Sequence, residues 1–538
     1  MRKGVPLPEG GGDPWNGGLV GGQGATTIAA AHSGSGIAPA PLPGFAFEDL
    51  PSRIRANGAA RPDAPALIDG ERILSRGDLA GAMDRIAAHL ASRGAAPGGV
   101  VASLGGVTAD HVALYLGVLA AGACMAPLPT SARPGALAAM IANCAPVLTF
   151  ADRGGTDAAG DLPVDPLDGL ILQTDGARAA PPRAPSEADL FDVIYSSGTT
   201  GSPKGIVHDH LFRARQGARF AAYGFDAAAV CLVSTPLYSN TTLAALLPAL
   251  SGGGTIVLMA RFDAGKFLAL AARHRVTHAM LVPVQYRRIL GHPGFGAADL
   301  ASFRVKLATS APFPEPMLRE VLGRWPGRMV NMYGMTEGGV GCMLDAGAHP
   351  AKLHTVGRPV PGCELRVIDA EGRVLPPGAP GEIVGRSATM MNGYLGDPER
   401  TRAALWRSPE GEAFVRSGDM GRIDEDGFLI LMDRRKDMIN SGGFNVFSAD
   451  LEAVLSAHPD VAEVAVIAVP STEWGEAPLA LVVPRGPVEP EALRVWANAR
   501  LGRTQRIAAV ELREALPRSE IGKVLKRELR APYWPGRT

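Results

Sequence analysis

Leu190-Phe-Asp-Val-Ile-Tyr-Ser-Ser-Gly-Thr-Thr-Gly-Ser-Pro-Lys-Gly205 is an apolar strand pattern that runs straight into hydroxyls and glycines and ends at a lysine. The composition suits a phosphate cradle. Glycines let backbone N–H groups turn inward, hydroxyls add donors, and Lys204 adds a point charge. The spacing is not G-x-x-x-x-G-K-[ST], so this is no ordinary Walker loop. A solvent-exposed Ser/Gly turn is the competing reading. Lysine is scarce, occurring only at positions 3, 204, 266, 306, 352, 436, 523 and 526, so Lys204 does not come from a lysine-rich background. Asp209 follows where it can cap a helix.

Outward from this stretch, strand and helix signals alternate. Arg76–Arg93 has helical periodicity through Leu79, Met83, Ile86 and Leu90. Val100–Leu104 and Ala123–Leu128 read as buried strands, with an apolar helix between them at Ala109–Ala121. After residue 190 the pattern resumes with strand Val230–Thr235, helix Thr241–Leu250, strand Thr255–Leu258, helix Ala264–His274 and strand His278–Val282. This rhythm predicts an α/β fold of parallel sheets covered by helices. Residues 152–189 read as a long surface connection. Past residue 355, turn-rich short strands (Glu364–Ile368, Gly381–Gly385, Gly427–Met432) predict a small barrel-like β subdomain. A compact α+β unit follows, with Ser448 as the expected cap of a helix through Ala457, then strands Val461–Val469 and Leu479–Val483 and helix Glu489–Leu501. The expected division is a Gly/Pro-rich tail at 1–44, a large domain at 45–435 and a smaller mobile domain at 436–538. The tail reads as disordered, or as the product of an upstream start codon.

Composition narrows the function. The 538 residues carry 53 basic and 53 acidic side chains, so charge gives no reason to expect nucleic acid or an anionic membrane as partner. Five scattered cysteines include no CxxC pair, which signals neither a zinc site nor a disulfide framework and fits a reducing, cytoplasmic setting. The longest apolar run, Val112–Leu128, is broken by Gly117, Gly122 and Pro127 and reads as a buried helix feeding a strand, not an integral membrane span.

Four further segments carry chemistry. In Asn331-Met-Tyr-Gly-Met-Thr-Glu337, Glu337 could hold magnesium, Tyr333 could stack on a base and Asn331 could pair with its edge. A capped strand end is the plainer alternative. In Ser417-Gly-Asp-Met-Gly421, Asp419 sits in a turn suited to accepting ribose hydroxyls, while Asp424–Gly427 reads as a hairpin turn. Asp433-Arg-Arg-Lys-Asp437 is a charged stretch running into Ser441-Gly-Gly-Phe444, whose glycines allow backbone mobility or close approach by a ligand. In Leu516-Pro-Arg-Ser-Glu-Ile-Gly-Lys523, Lys523 precedes a short helix.

In this order and spacing the five segments resemble the adenylate-forming superfamily of acyl-CoA synthetases, luciferases and peptide-synthetase adenylation domains, and look most like acyl- or aryl-CoA ligases. The resemblance covers residues 45–530. It implies that Ser196, Ser197, Gly198, Thr199, Thr200, Gly201 and Lys204 grip the triphosphate of ATP. It implies that Thr336 and Glu337 meet the α-phosphate and magnesium, with Thr200 as a second metal contact. Asn331 and Tyr333 then meet adenine, with Met332, Gly334 and Met335 in the same ATP-binding stretch, and Ser310, Ala311 and Pro312 line the other side of the base. Asp419 and Arg434 match the ribose-holding pair, and Lys523 the lysine bridging carboxylate and α-phosphate. Lys436 matches the hinge. Gly442, Gly443 and Phe444 match the stretch beside the pantetheine of coenzyme A.

The implied reaction joins a small-molecule carboxylic acid to AMP with loss of pyrophosphate, then to coenzyme A as thioester. Two departures bear on the acid. Pro236-Leu-Tyr238 is followed by Ser239 where many members carry a gating His, and Gly334 stands where acetate-restricted members place Trp. The expected substrate is therefore a medium-chain, branched or aromatic acid larger than acetate, within walls from Tyr238, Ser239, Thr241, Val284, Gly334, Met335 and Val340. Two other readings stay open: an acyl-AMP ligase that loads a carrier protein, and an ATP hydrolase releasing orthophosphate. The oligomeric state also stays open, with a homodimer among the options.

Overall fold

The structure is a computed structural model that describes residues 37–176, 183–196, 204–434, 437–441, 444–502, 505–519 and 522–534, with Ser196, Phe444 and Asn445 in backbone alone. The expected α/β architecture is present. A nine-stranded sheet has six parallel strands at its centre: Pro65–Asp69, Thr255–Leu258, Val230–Val233, His278–Leu281, Val305–Ala308 and Arg328–Gly334. Antiparallel strands close both edges. A seven-stranded sheet is built around Val100–Leu104, Cys124–Leu128 and the hairpin Leu190–Ser196/Lys204–Asp209.

The apolar helix at 109–120 explains how the two sheets join. Helix Ala109–Ala120 is buried along its whole length. With helices Arg76–Ser92 and Asn240–Ser251 it forms one continuous apolar cluster that includes Leu67 and Ile256 of the first sheet and Val101 and Met125 of the second. A helix apolar on all sides has to be covered on all sides, and here it is. Among the described residues no helix is long and apolar enough to cross a membrane.

Residues 152–176 depart from the expected loop. Asp152 caps helix Arg153–Ala159 by accepting from the Gly155 N–H at 2.7 Å. The two-residue strand Asp165–Pro166 extends the sheet, and Leu167, Leu170 and Ile171 are buried. Short polar-flanked elements of this kind leave little periodicity to read. Residues 37–44, assigned by composition to the tail, run along the β subdomain, where the Ala40 N–H donates to the Ser387 carbonyl at 2.9 Å. Residues 1–36 lie outside the described residues.

The small β subdomain is a five-stranded antiparallel sheet that includes Cys363–Ile368, Gly381–Ser387, Ala413–Ile423 and Leu429–Arg434. A smaller C-terminal domain has its own five-stranded sheet, dominated by Val461–Ser471 paired with Gly475–Pro484, and its own core around Leu451, Val466, Val482 and Leu493. The expected boundary at 435/436 falls outside the described residues.

Ser448 does not cap its helix. Helix Ser448–Ser456 has Phe447 at the N-cap with no side-chain bond. The Ser448 N–H and hydroxyl both donate to Asp433 Oδ2, at 2.5 and 2.7 Å, and its Oγ accepts from Lys526 Nζ at 2.6 Å. Lys526 also pairs with Glu452 at 2.6 Å. A nearby carboxylate has outcompeted the local backbone. Other scarce lysines are structural too. Lys306 is wholly buried and donates to the carbonyls of Trp325, Pro326 and Gly327, holding the end of helix Glu315–Arg324.

Candidate functional site

Strand Arg328–Gly334 delivers Asn331 and Tyr333 to one face, two residues apart. The Tyr333 hydroxyl donates to Asp419 Oδ2 at 2.7 Å. Asp419 faces Arg434 across the hairpin of strands Ala413–Ile423 and Leu429–Arg434, and Arg434 Nε lies 3.2 Å from Oδ1. Asp419 is thus part of a strand and not of the expected turn; there Ser417 accepts from the Asp419 N–H at 3.0 Å and donates to the Ile383 carbonyl at 2.7 Å. Burial, with the Asp419 carboxylate second, pushes the Tyr333 hydroxyl well above the ordinary tyrosine range. Met332 points away from this group and packs on the main core, while Met335 and Val340 pack beside Tyr333.

The next turn holds Thr336 and Glu337. Tyr394 donates its hydroxyl to Glu337 Oε1 at 2.9 Å, and the Met391 N–H donates to the Glu337 carbonyl at 2.9 Å. Lys204 Nζ lies 5.6 Å from the centroid of the same Tyr394 ring, within cation–π range. Tyr394 therefore brings Lys204 and Glu337 into one neighbourhood. Gly338 closes the turn at φ +70°, where an added Cβ would come within 2.2 Å of the Thr389 carbonyl oxygen.

On the other side, Ser310 adopts φ +75° and its Oγ lies 2.7 Å from Thr241 Oγ1. Ala311 and Pro312 follow it. Ser239 is buried, and its hydroxyl accepts from the Thr241 N–H at 3.3 Å at the start of helix Asn240–Ser251. Tyr238 and Val284 are half-buried. Gly334 faces Gly341 in the strand register, so no side chain from either position enters the space between them.

Lys523 lies in a tight turn. Ser519 N–H donates to the Lys523 carbonyl at 2.8 Å, Lys523 N–H donates to Ser519 Oγ at 3.2 Å, and Arg518 donates to the Gly522 carbonyl at 2.7 Å. Gly522 has φ +76°, and a Cβ there would fall 2.4 Å from Val284 Cγ1. The turn thus rests directly on the segment that carries Val284. Arg518 pairs with Glu463 at 2.8 Å, and Glu463 reaches Arg287 at 3.5 Å.

Ser197, Gly198, Thr199, Thr200, Gly201, Lys436, Gly442 and Gly443 lie outside the described residues. Ser196 is the strand partner of Lys204, and Phe444 that of Ser441. Among the described residues no group of three His, Cys, Asp or Glu could hold a metal ion. The sequence reading missed Tyr394, and it missed Asp192, His208 and Arg213. The signal for Asp192 and His208 was an acid and a histidine interrupting apolar runs in the strands Leu190–Ser196 and Lys204–Asp209.

Two family models match the chain: AMP-binding enzyme over residues 54–395 and AMP-binding enzyme C-terminal domain over 450–523. The chain is 34% identical over 485 residues to a feruloyl-CoA synthase from an Amycolatopsis species, covering 88% of this chain and 96% of that one. It is 30% identical over 495 residues to the fatty acid–[acyl-carrier-protein] ligase ScoC of Streptomyces coeruleorubidus, covering 88% and 94%. ATP-bound MatB from Rhodopseudomonas palustris superposes with a TM-score of 0.81 at 27% identity, covering 90% of this chain and 98% of that one. A two-domain architecture with these motifs defines an adenylate-forming ligase. The chain belongs to the AMP-binding enzyme family.

Proposed function

We propose that this enzyme activates a carboxylic acid larger than acetate with ATP and passes the acyl group to coenzyme A. The observation that carries the reading is the convergence of Lys204 and Glu337 on Tyr394, with the Lys523 turn seated on the segment that carries Val284. Two anions must meet for a carboxylate oxygen to attack the α-phosphorus. Lys204 and Lys523 neutralise that approach. The P–O bond to the β-phosphate breaks and pyrophosphate leaves. In the second step the CoA thiol loses its proton to solvent, its sulfur bonds to the acyl carbon, and the bond from that carbon to the phosphate oxygen breaks to release AMP. The half-buried Glu337 carboxylate suits a hard cation, and magnesium bound there would offset phosphate charge. Asp419 and Arg434 would hold ribose, with Tyr333 and Asn331 beside adenine and Ser310, Ala311 and Pro312 opposite. The facing glycines 334 and 341 leave room for the acid, and aryl- and acyl-specific relatives support the choice of class.

The test is a panel of medium-chain, branched and aromatic acids with Mg-ATP, following pyrophosphate, AMP and thioester. At least one acid is expected to release pyrophosphate and, with coenzyme A, give stoichiometric thioester. Thioester formed only on a carrier protein would move the reading to a carrier-protein ligase, and acid-independent orthophosphate would replace it with ATP hydrolysis.

Tyr394→Phe checks the convergence directly. The ring under Lys204 is kept and the donor to Glu337 is lost, so the magnesium dependence of pyrophosphate release should shift upward and kcat fall by roughly 10-fold, the worth of one charge-assisted hydrogen bond. A magnesium titration identical to wild type would remove Tyr394 from the site.

A further inference from the structure

Beneath the Thr336–Glu337 turn lies a buried charged cluster that the proposed chemistry does not use. Asp192 and His208 face each other on the paired strands Leu190–Ser196 and Lys204–Asp209, and both are 0% exposed. Asp192 accepts from His208 Nδ1 at 2.6 Å, from the Tyr115 hydroxyl at 2.7 Å, and from Arg213 Nε and Nη2 at 2.9 Å each. Arg213 Nη1 donates onward to Gln216 and Asn240. Burial would raise the Asp192 pKa, but the Arg213 and His208 charges outweigh it and hold the carboxyl at about 2. An ionised carboxylate can only accept, so Nδ1–H donates to it. His208 Nε2 lies 2.8 Å from the Thr336 carbonyl oxygen, which also can only accept. The Nε2–H therefore donates to Thr336, and Arg213 Nη2, itself only a donor, lies 3.1 Å from Nδ1.

We propose that His208 is a positioning residue for adenylation, holding the Thr336–Glu337 turn from beneath through the Thr336 carbonyl; this rests on the adenylation reading above. The hold is double. Phe212 stacks on the His208 ring at 4.1 Å, and its edge packs where a Cβ on Gly338 would come within 2.9 Å. His208 and Lys204 also share one strand and, four residues apart, one face of it. That strand sets the span between the phosphate-side lysine and the turn at roughly 13 Å. Aligning Thr336 with the α-phosphate would then be a property of the hairpin, and Asp192, Tyr115 and Arg213 fix the ring that transmits it.

Two substitutions separate the two ring nitrogens. In His208→Gln the amide nitrogen replaces Nε2 and keeps the bond to Thr336. In His208→Asn it replaces Nδ1 and keeps only the bond to Asp192. The full chain is assayed for acid-dependent ATP–pyrophosphate exchange, equilibrium AMP binding and thermal unfolding. His208→Gln should stay within about 3-fold of wild type, whereas His208→Asn should lose about 10- to 100-fold in kcat/KM for ATP, with the KM for the acid nearly unchanged. AMP affinity should rank the same way. Asn equal to or better than Gln would overturn the proposal and leave His208 as a partner of Asp192 alone. A wild-type chain with no exchange would sink the adenylation reading instead, and the AMP ranking would still decide this one.

Discussion

Lys523→Ala is expected to slow acyl-adenylate formation by about 10³-fold while leaving thioester formation from supplied acyl-AMP within about 5-fold of wild type. The asymmetry follows from charge. In the first step a carboxylate and a polyphosphate must approach, and a preorganised ammonium between them is worth several kcal/mol in a site shielded from water. In the second step the attacking sulfur meets a neutral carbonyl carbon, and the lysine has little left to neutralise. The substitution keeps the turn's backbone bonds and those of Ser519 and Arg518, none of which involves the Lys523 side chain. Rapid-quench measurement of pyrophosphate, alongside CoA transfer from synthetic acyl-AMP, reads the two halves separately. Equal losses in both, or none in either, would remove Lys523 from the proposed role.

Asp192→Asn should be among the most destabilising conservative changes in the chain. The amide fits the space but strands the Arg213 and His208 donors around a neutral group in a fully buried setting. Leaving buried charge uncompensated costs roughly 3–5 kcal/mol, which would lower the calorimetric midpoint by roughly 5–10 °C. The double change Asp192→Asn with Arg213→Met should recover part of that loss, since a charge and its partner leave together. The same cluster sets an acid limit. Its carboxyl is held at about 2 against an ordinary value of 3.8, so its contribution is fully present above 3.8 and is lost as pH falls through about 2. In the Asn variant that acid-range slope should disappear from the stability profile. A midpoint within a degree of wild type would show that the cluster carries no such weight.

Much of this was legible in the sequence, for identifiable reasons. Strands such as Thr255–Leu258 and His278–Leu281 were readable because they are short, fully buried and separated by helices of clear period. The Asp419–Arg434 pair was readable only through resemblance, since nothing local says that positions 15 residues apart face each other across a hairpin. Tyr394 was unreadable for the same reason: its strand is two residues long and pairs with one nearly 190 residues earlier. Scarcity of lysine pointed to Lys204 and Lys523, yet Lys306, Lys352 and Lys526 are equally scarce and tie carbonyls or carboxylates together. Ser448 shows the limit of local capping rules, because its competitor Asp433 is near only in space.

The knot of Asp433, Ser448, Lys526 and Glu452 gives the small domain an unequal grip on the large one. Asp433 precedes the boundary expected at 435/436 and the other three follow it, whereas the Gly522–Val284 contact and the half-exposed Arg287–Glu463 pair touch elsewhere. A swing about an axis through the knot would leave that knot engaged as a bearing and surrender only the peripheral touches. The domain would then pivot without ever casting off, and the cost of exchanging one face for the other would include the Arg287–Glu463 pair, which dissolved salt can loosen.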